Sequence, residues 1–367
     1  MALPSPFPST TQTAGFVPAG ALDTMLKERL RTSKFKDAFL HMGIALVDLT
    51  PIAEDPDPSR PFSVSFGANA QLDTQLAVGS LAKIAAMFAA FHLRDQVTTA
   101  AATVGGNATD AADVAAQITA DWKPIVSRAI SKPPQDFPNL KHMFDFGPAS
   151  PWKPTFKDGK KDWKALEPFH DSGKATIDKL EFTDRMKLMI RFSDNMSSGS
   201  CVRDVGFQYL NGSLAADGFA DNQRNGILWL GGDFGYTNTP PIMGAPPWDS
   251  RKDATWVRAN AKGIASYFTL VWTNRLVDRA ASGEMRDILL DRAGVGYGTY
   301  LGNYTPNVVR SLSKVGILGT VISEGVILEC NAGGGLIRYA AVGLGATRDE
   351  VMKELAGIFF DCVKAQH

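Results

Sequence analysis

The chain has 367 residues, enough for about two domains at ~150 residues each, and its 38 Lys plus Arg balance 38 Asp plus Glu. A formal charge of zero leaves no global attraction for nucleic acid or anionic lipid. The 44% hydrophobic and 21% charged fractions are those of an ordinary soluble globular protein, and they exclude the disordered, collagenous and membrane classes.

Cys201, Cys330 and Cys362 are odd in number and far apart, so they read as buried small apolar residues rather than a disulfide framework. His41, His92, His142, His170 and His367 show no paired ligand spacing, and no C-x-x-C occurs; neither a metal nor a cofactor is expected. The opening MALPSPFPSTTQTAGFVPAG lacks a basic and then apolar leader, and no run of about 18 apolar residues occurs, so membrane insertion is not expected. This favours the cytoplasm unless a signal was removed.

In chain order, Leu22, Leu26 and Leu30 recur at helical spacing and predict an amphipathic helix over 21–40. The β-rich runs 41–50 and 60–70 flank an Asp- and Pro-rich loop and read as an antiparallel hairpin. A helix follows from Leu81, with Ile84, Phe88 and Phe91 on a shared face. Between 99 and 260 the patterns are helical with hardly any strand, which predicts an inserted helical region. Within it, 132–170 is rich in Pro, Phe and Trp, so it cannot be regular helix; an ordered loop burying its aromatics is expected.

A single long helix is expected over 261–281. Two β-runs follow, VGILGTVISEGVILEC and LIRYAAVGLG, joined by NAGGG, and a last amphipathic helix opens at Thr347 or Asp349. Helices from both chain ends can then cover one face of an antiparallel sheet built from both ends. The G-x-G-x-G of 294–298 is not framed by a strand and a helix start and reads as a loop.

No P-loop and no G-x-S-x-G occurs, which argues against NTPases and α/β-hydrolases. The remaining chemistry lies in Ser80-Leu81-Ala82-Lys83, Ser193-Asp194-Asn195 and Lys314-Val315-Gly316. Taken singly these are weak. S-x-x-K also occurs at Ser33, Ser150 and Ser311, K-x-G at Lys157, and Y-x-N at Tyr209 and Tyr236. Context selects Ser80, which lies where the turn Ala77-Val78-Gly79 meets the first turn of an apolar helix. Its hydroxyl would sit near backbone N–H groups, with Lys83 on the same face. A neutral lysine amine there can take the hydroxyl proton, because burial lowers its pKa. Ser193-Asp194-Asn195 ends one helix and caps the next, and Lys314 heads a late strand in which Gly316 permits close backbone approach.

Taken in this order, the three motifs resemble those of the penicillin-recognising serine enzymes, the class A β-lactamases and penicillin-binding proteins. The resemblance implies a β-lactamase/transpeptidase-like fold, α/β plus all-α. Residues 1–75 with 262–367 would form the sheet domain, 76–261 the helical domain, and the active site would lie in the cleft between them. It further implies Ser80 as the acylated nucleophile, Lys83 as proton acceptor and Ser193 as proton relay to the leaving group. Asn195 would bind the substrate amide, Lys314 would supply positive charge, and the N–H groups of Ser80 and Ile317 would form the oxyanion hole.

Two departures stand out. Val315 replaces the family's usual Thr or Ser, removing a hydroxyl that helps hold a substrate carboxylate, and no E-x-x-L-N follows Ser193. Asp233, Asp249 and Asp253 fall in the corresponding stretch without that pattern. The expected protein is a serine hydrolase acting on a small-molecule or peptide substrate carrying an amide, peptide or ester, and poor at β-lactam turnover. The alternatives are a true β-lactamase or D-alanyl-D-alanine carboxypeptidase, and a non-catalytic ligand-binding protein with the same fold.

Overall fold

The computed structural model describes residues 3–11, 16–18, 20–53, 56–60, 63–104, 110–127, 137–147, 152–221, 225–229, 234, 236, 257–290 and 298–367. The chain divides into two compact units. One comprises Thr11–Ala82, Phe219–Leu228 and Val257–His367, and the other Met1–Thr10, Lys83–Gly218 and Trp229–Trp256.

The first unit is built on a six-stranded sheet in the order β1-β3-β2-β11-β10-β9. Its strands are β1 (Phe16–Pro18), β2 (Gly43–Asp48), β3 (Val64–Ala68), β9 (Val308–Leu318), β10 (Val321–Asn331) and β11 (Leu336–Ala346). β1 runs parallel to β3, and every other neighbour is antiparallel. Strand alternation sends Ile322, Val326, Leu328 and Cys330 to one face. There they join Leu22, Leu26 and Leu30 of helix α1 (Gly20–Thr32) and Leu355 and Phe359 of helix α14 (Asp349–Lys364) in one core. Residues of opposite parity, among them Gly325, face helix α11 (Ala261–Trp272), where an added Cβ would overlap the Phe268 ring. Both faces of β10 are therefore covered, so its polar residues Ser323, Glu324 and Glu329 are buried along with its apolar ones.

Three expectations for this unit are corrected. The helix expected over 21–40 stops at Thr32, and a short α2 (Lys36–Phe39) follows. The helix expected over 261–281 breaks after Trp272: Asn274 and Val277 take positive φ (59° and 67°), and Asp278 caps a new helix α12 (Arg279–Leu289) by accepting from Ala281 N. The first late β-run is two strands, because Gly319 at φ 59° and Thr320 form a two-residue turn that pairs Leu318 with Val321. Helix α14 opens after Arg348, which makes no side-chain cap; Asp349 and Glu350 supply first-turn negative charge instead. The unit also holds the paired strands β4 (Leu76–Ala77) and β8 (Val257–Ala259) and the short helix α13 (Tyr300–Tyr304).

The second unit is helical. Helix α3 (Lys83–Val104) is buried on all sides through its first eleven residues, so Ile84, Phe88 and Phe91 mark no single stripe. Around it lie α4 (Ala111–Val126), α5 (Leu140–Met143), α6 (Trp163–Leu166), α7 (Lys174–Ile177), α8 (Phe182–Arg191), α9 (Asn195–Val205) and α10 (Phe207–Ala216). The Pro- and aromatic-rich stretch folds in part as a two-stranded pair, β5 (Phe144–Phe146) with β6 (Pro154–Phe156). Phe156 stacks on Phe144 and meets Phe91 edge-on, so these aromatics fill core. Pro4–Thr10 is tied to this unit by Trp122 Nε1 donating to Pro4 O (2.9 Å) and by Asp217 accepting from Thr10 N (2.7 Å). Among the described residues no helix is long and apolar enough to cross a membrane.

Candidate active site

Ser80 lies in a 3-10 turn, Gly79–Ala82, that runs directly into α3. Gly79 takes φ 52°, and a Cβ on it would press on the backbone of Ile317, reaching its N at 3.2 Å. Gly316 is the reciprocal requirement. Any side chain there would overlap the Val78 carbonyl and come within 3.0 Å of Ser80 N. Two glycines thus let edge strand β9 lie against the turn that carries Ser80, bringing the backbone of Gly316 and Ile317 beside Ser80 N. Lys314 is two residues before Gly316 and so shares its sheet face. It is buried, and its Nζ donates to Val315 O at 2.9 Å. Val315, in register with Glu324, is buried and brings no hydroxyl.

Lys83 opens α3 three residues after Ser80 and is fully buried. Its Nζ donates to Ser193 O at 2.6 Å and to Asn195 Oδ1 at 2.9 Å, and lies 3.4 Å from Ser193 Oγ. Three acceptors satisfy an ammonium. After loss of one proton, two N–H bonds still serve the carbonyl and the amide, and the lone pair can accept a hydroxyl proton. Burial pushes the pKa down from 10.5 to about 7, with the Asp194 charge opposing it. The amine is therefore divided between its two forms near neutral pH.

The partners of Lys83 are placed by the junction of α8 and α9. The buried Arg185 of α8 pairs with Asp204 of α9 at 2.6 Å and donates to Ser200, clamping the two helices. Asp194 caps α9 by accepting from Ser197 N at 2.6 Å, so the capping role expected of this motif is real and falls to its middle residue. Ser193 takes φ 54° at the end of α8, a conformation favouring glycine, and presents both its carbonyl and its hydroxyl to Lys83. His170, Asp171 and Asp194 hold ligand atoms within 4.8 Å of one another, yet both Asp194 oxygens already accept backbone N–H groups. That group carries no metal assignment.

The structure therefore gathers the expected residues in two sets: Ser80, Lys314, Gly316 and Ile317 in the sheet unit, and Lys83, Ser193 and Asn195 in the helical unit. The competing motifs separate on local structure. Ser33 Oγ donates to Glu354 Oε1, and Ser311 lies in β9, where residues three apart face opposite ways. Asn211, of the Y-x-N at Tyr209, is spent on the Trp229 backbone. Ser150, Asp233, Asp249, Asp253 and 294–297 lie outside the described residues. One neighbour of Lys83 was missed: Phe234, whose ring centroid is 4.7 Å from Nζ. No motif marks it, because a lone aromatic in a Gly-rich stretch has no periodicity to read.

Residues 161–356, more than half of the chain, match the model of the β-lactamase enzyme family. The chain belongs to that family. The matched span contains Ser193, Asn195 and Lys314–Ile317, while Ser80 and Lys83 precede it. Among solved structures, a variant of the TLA-1 extended-spectrum β-lactamase aligns at TM-score 0.50 and 11% identity, covering 94% of this chain and 100% of that one. The β-lactamase of Sphaerobacter thermophilus aligns at TM-score 0.46 and 14% identity over 94% and 98%. A class A enzyme described as the last common ancestor of Gram-negative bacteria gives 0.49 and 15% over 95% and 100%. The TLA-1 likeness shows a β-lactamase-like fold. A search of curated protein sequences returned no match.

Proposed function

We propose that this β-lactamase-family protein is a serine hydrolase that forms an acyl-enzyme at Ser80 on an amide, peptide or ester. The observation that carries the reading is Lys83: a buried amine, split between its protonation states near pH 7, three residues after a serine in the 3-10 turn that leads into its helix. In the acylation step the Ser80 oxygen bonds to the substrate carbonyl carbon while its proton passes to neutral Lys83. The carbonyl oxygen takes the negative charge and is met by the N–H groups of Ser80 and Ile317. As the bond to the leaving group breaks, Ser193 relays a proton to it. Asn195 holds the substrate amide, and Lys314 supplies positive charge to Ser193 and to a substrate carboxylate.

Hydrolysis of the acyl-ester needs a positioned water and a base, and no E-x-x-L-N follows Ser193 to provide them in the class A manner. Turnover of β-lactams is therefore slow, and Val315 weakens the hold on a β-lactam carboxylate, a charged hydrogen bond being worth roughly 1.5–3 kcal/mol. A fluorophosphonate or fluorescent penicillin should label the wild type, and Ser80→Ala should abolish labelling. Labelling retained in that variant moves the nucleophile elsewhere. Fast nitrocefin turnover would instead identify a true β-lactamase, and absence of any labelling a non-catalytic binding protein.

A further inference from the structure

The residue that meets the Lys83 amine from outside the three motifs is Phe234, and its place is built rather than incidental. Its ring stands edge-on to that of Trp229, with centroids 5.7 Å apart and an interplanar angle of 85°. Trp229 is itself buried and fixed at its backbone by one side chain of α10: Asn211 Nδ2 donates to Trp229 O at 2.7 Å, and Asn211 Oδ1 accepts from Trp229 N at 3.1 Å. Asn211 thus holds Trp229, and Trp229 braces Phe234. At the end of this chain of contacts the aromatic face covers Lys83 Nζ.

We propose that Phe234 is a positioning residue for Lys83, its ring closing the amine against water while offering the ammonium a π face. The inference rests on the reading of Lys83 as the proton acceptor for Ser80. The two actions oppose each other: excluding water disfavours the ammonium, and the ring quadrupole favours it. The ring also takes room that a water would need in order to hydrogen-bond to the amine. A lysine-driven hydrolysis of the acyl-ester is thereby slowed, which lengthens the life of the adduct. The charge that bears on the amine is that of Asp194, across the α8–α9 junction. The neighbours of Lys83 on α3 itself, Ile84 to Phe88, are apolar. Asp233, adjacent to Phe234 in sequence, is included as a control.

Two substitutions separate the opposed actions. Phe234→Leu keeps apolar bulk and removes the π face; Phe234→Ala removes both. Lys83 is followed directly by NMR titration of the full chain carrying 13C at the lysine ε-carbons, its resonance assigned by its loss in Lys83→Arg. The Lys83 midpoint should fall by roughly 0.4–1.5 pH units in Phe234→Leu, the cation–π contribution expressed as a pKa change. In Phe234→Ala it should rise toward the ordinary lysine value, and at a pH above that raised midpoint, where the amine is neutral, the penicilloyl adduct should decay several-fold faster than in wild type at the same pH. Opposite displacements support the proposal. Unmoved midpoints, displacements of the same sign, or a shift produced by Asp233→Asn and by neither Phe234 variant would overturn it. If wild type forms no adduct, the assignment of Ser80 fails on that result alone, while the titration still decides the role of Phe234.

Discussion

For single residues, the proposed chemistry turns on the protonation of Lys83. Its amine titrates at about 7 when folded and at 10.5 in an exposed chain. Between those values the unfolded chain binds a proton that the folded chain lacks, so the stability contributed through this residue rises with pH across the window. It is lowest below pH 7, where the folded state must hold a buried ammonium. The stability of Lys83→Met relative to wild type should therefore shift in favour of wild type between pH 7 and pH 10 in urea melts; a constant difference would place the lysine in solvent. Acylation of Ser80 should follow the neutral amine and climb through a single-proton limb near pH 7. Lys83→Ala should slow it about 10²–10⁴-fold. Ser193 supplies a second test at this scale. Its φ of 54° costs on the order of 1 kcal/mol for a residue with a Cβ, a strain often found where function demands it. Ser193→Gly should raise the melting temperature while slowing acylation; a variant that gains stability and keeps its rate would remove the relay role.

At the scale of elements, the turn carrying Ser80 and the edge strand β9 are joined through backbone alone. Gly316→Ala inserts a methyl group into the Val78 carbonyl and against Ser80 N, so it should push β9 off the turn and remove the oxyanion donors. The expected result is loss of labelling at Ser80 with circular dichroism close to wild type, because β9 keeps its ladder to β10. Unchanged labelling would show that the β9 backbone takes no part in acylation. Elements are also where sequence reading met its limits. The break after Trp272 was hidden because Leu276 and Ala281 continue the apolar period across it, while Asn274 and the Asp278 cap leave only a faint signal. The β9–β10 turn was hidden because a sheet covered on both faces has no alternation, and Gly319-Thr320 lacks the usual hairpin pair. By contrast α1 and α14 carry an apolar period that follows the helix turn, and the β2 and β3 runs are separated by an Asp- and Pro-rich loop, so their patterns announced them.

At the scale of the whole molecule, the informative signal was the order of three short motifs spread from Ser80 to Gly316. Each is degenerate: S-x-x-K occurs four times, and among the described residues only Ser80 falls on a glycine-opened turn that leads into a buried helix. The family match covers Ser193 and Lys314 and begins after Lys83, so the identity of the nucleophile rests on local structure and motif order. Phe234 was illegible because its effect is exerted through space on a residue about 150 positions earlier. The most direct test is intact-protein mass spectrometry after mixing with benzylpenicillin, followed by peptide mapping. A single penicilloyl adduct on Ser80 that persists, and that is absent from Ser80→Ala, is the expected result. Rapid multiple turnover with no persistent adduct, or an adduct retained in Ser80→Ala, would contradict it.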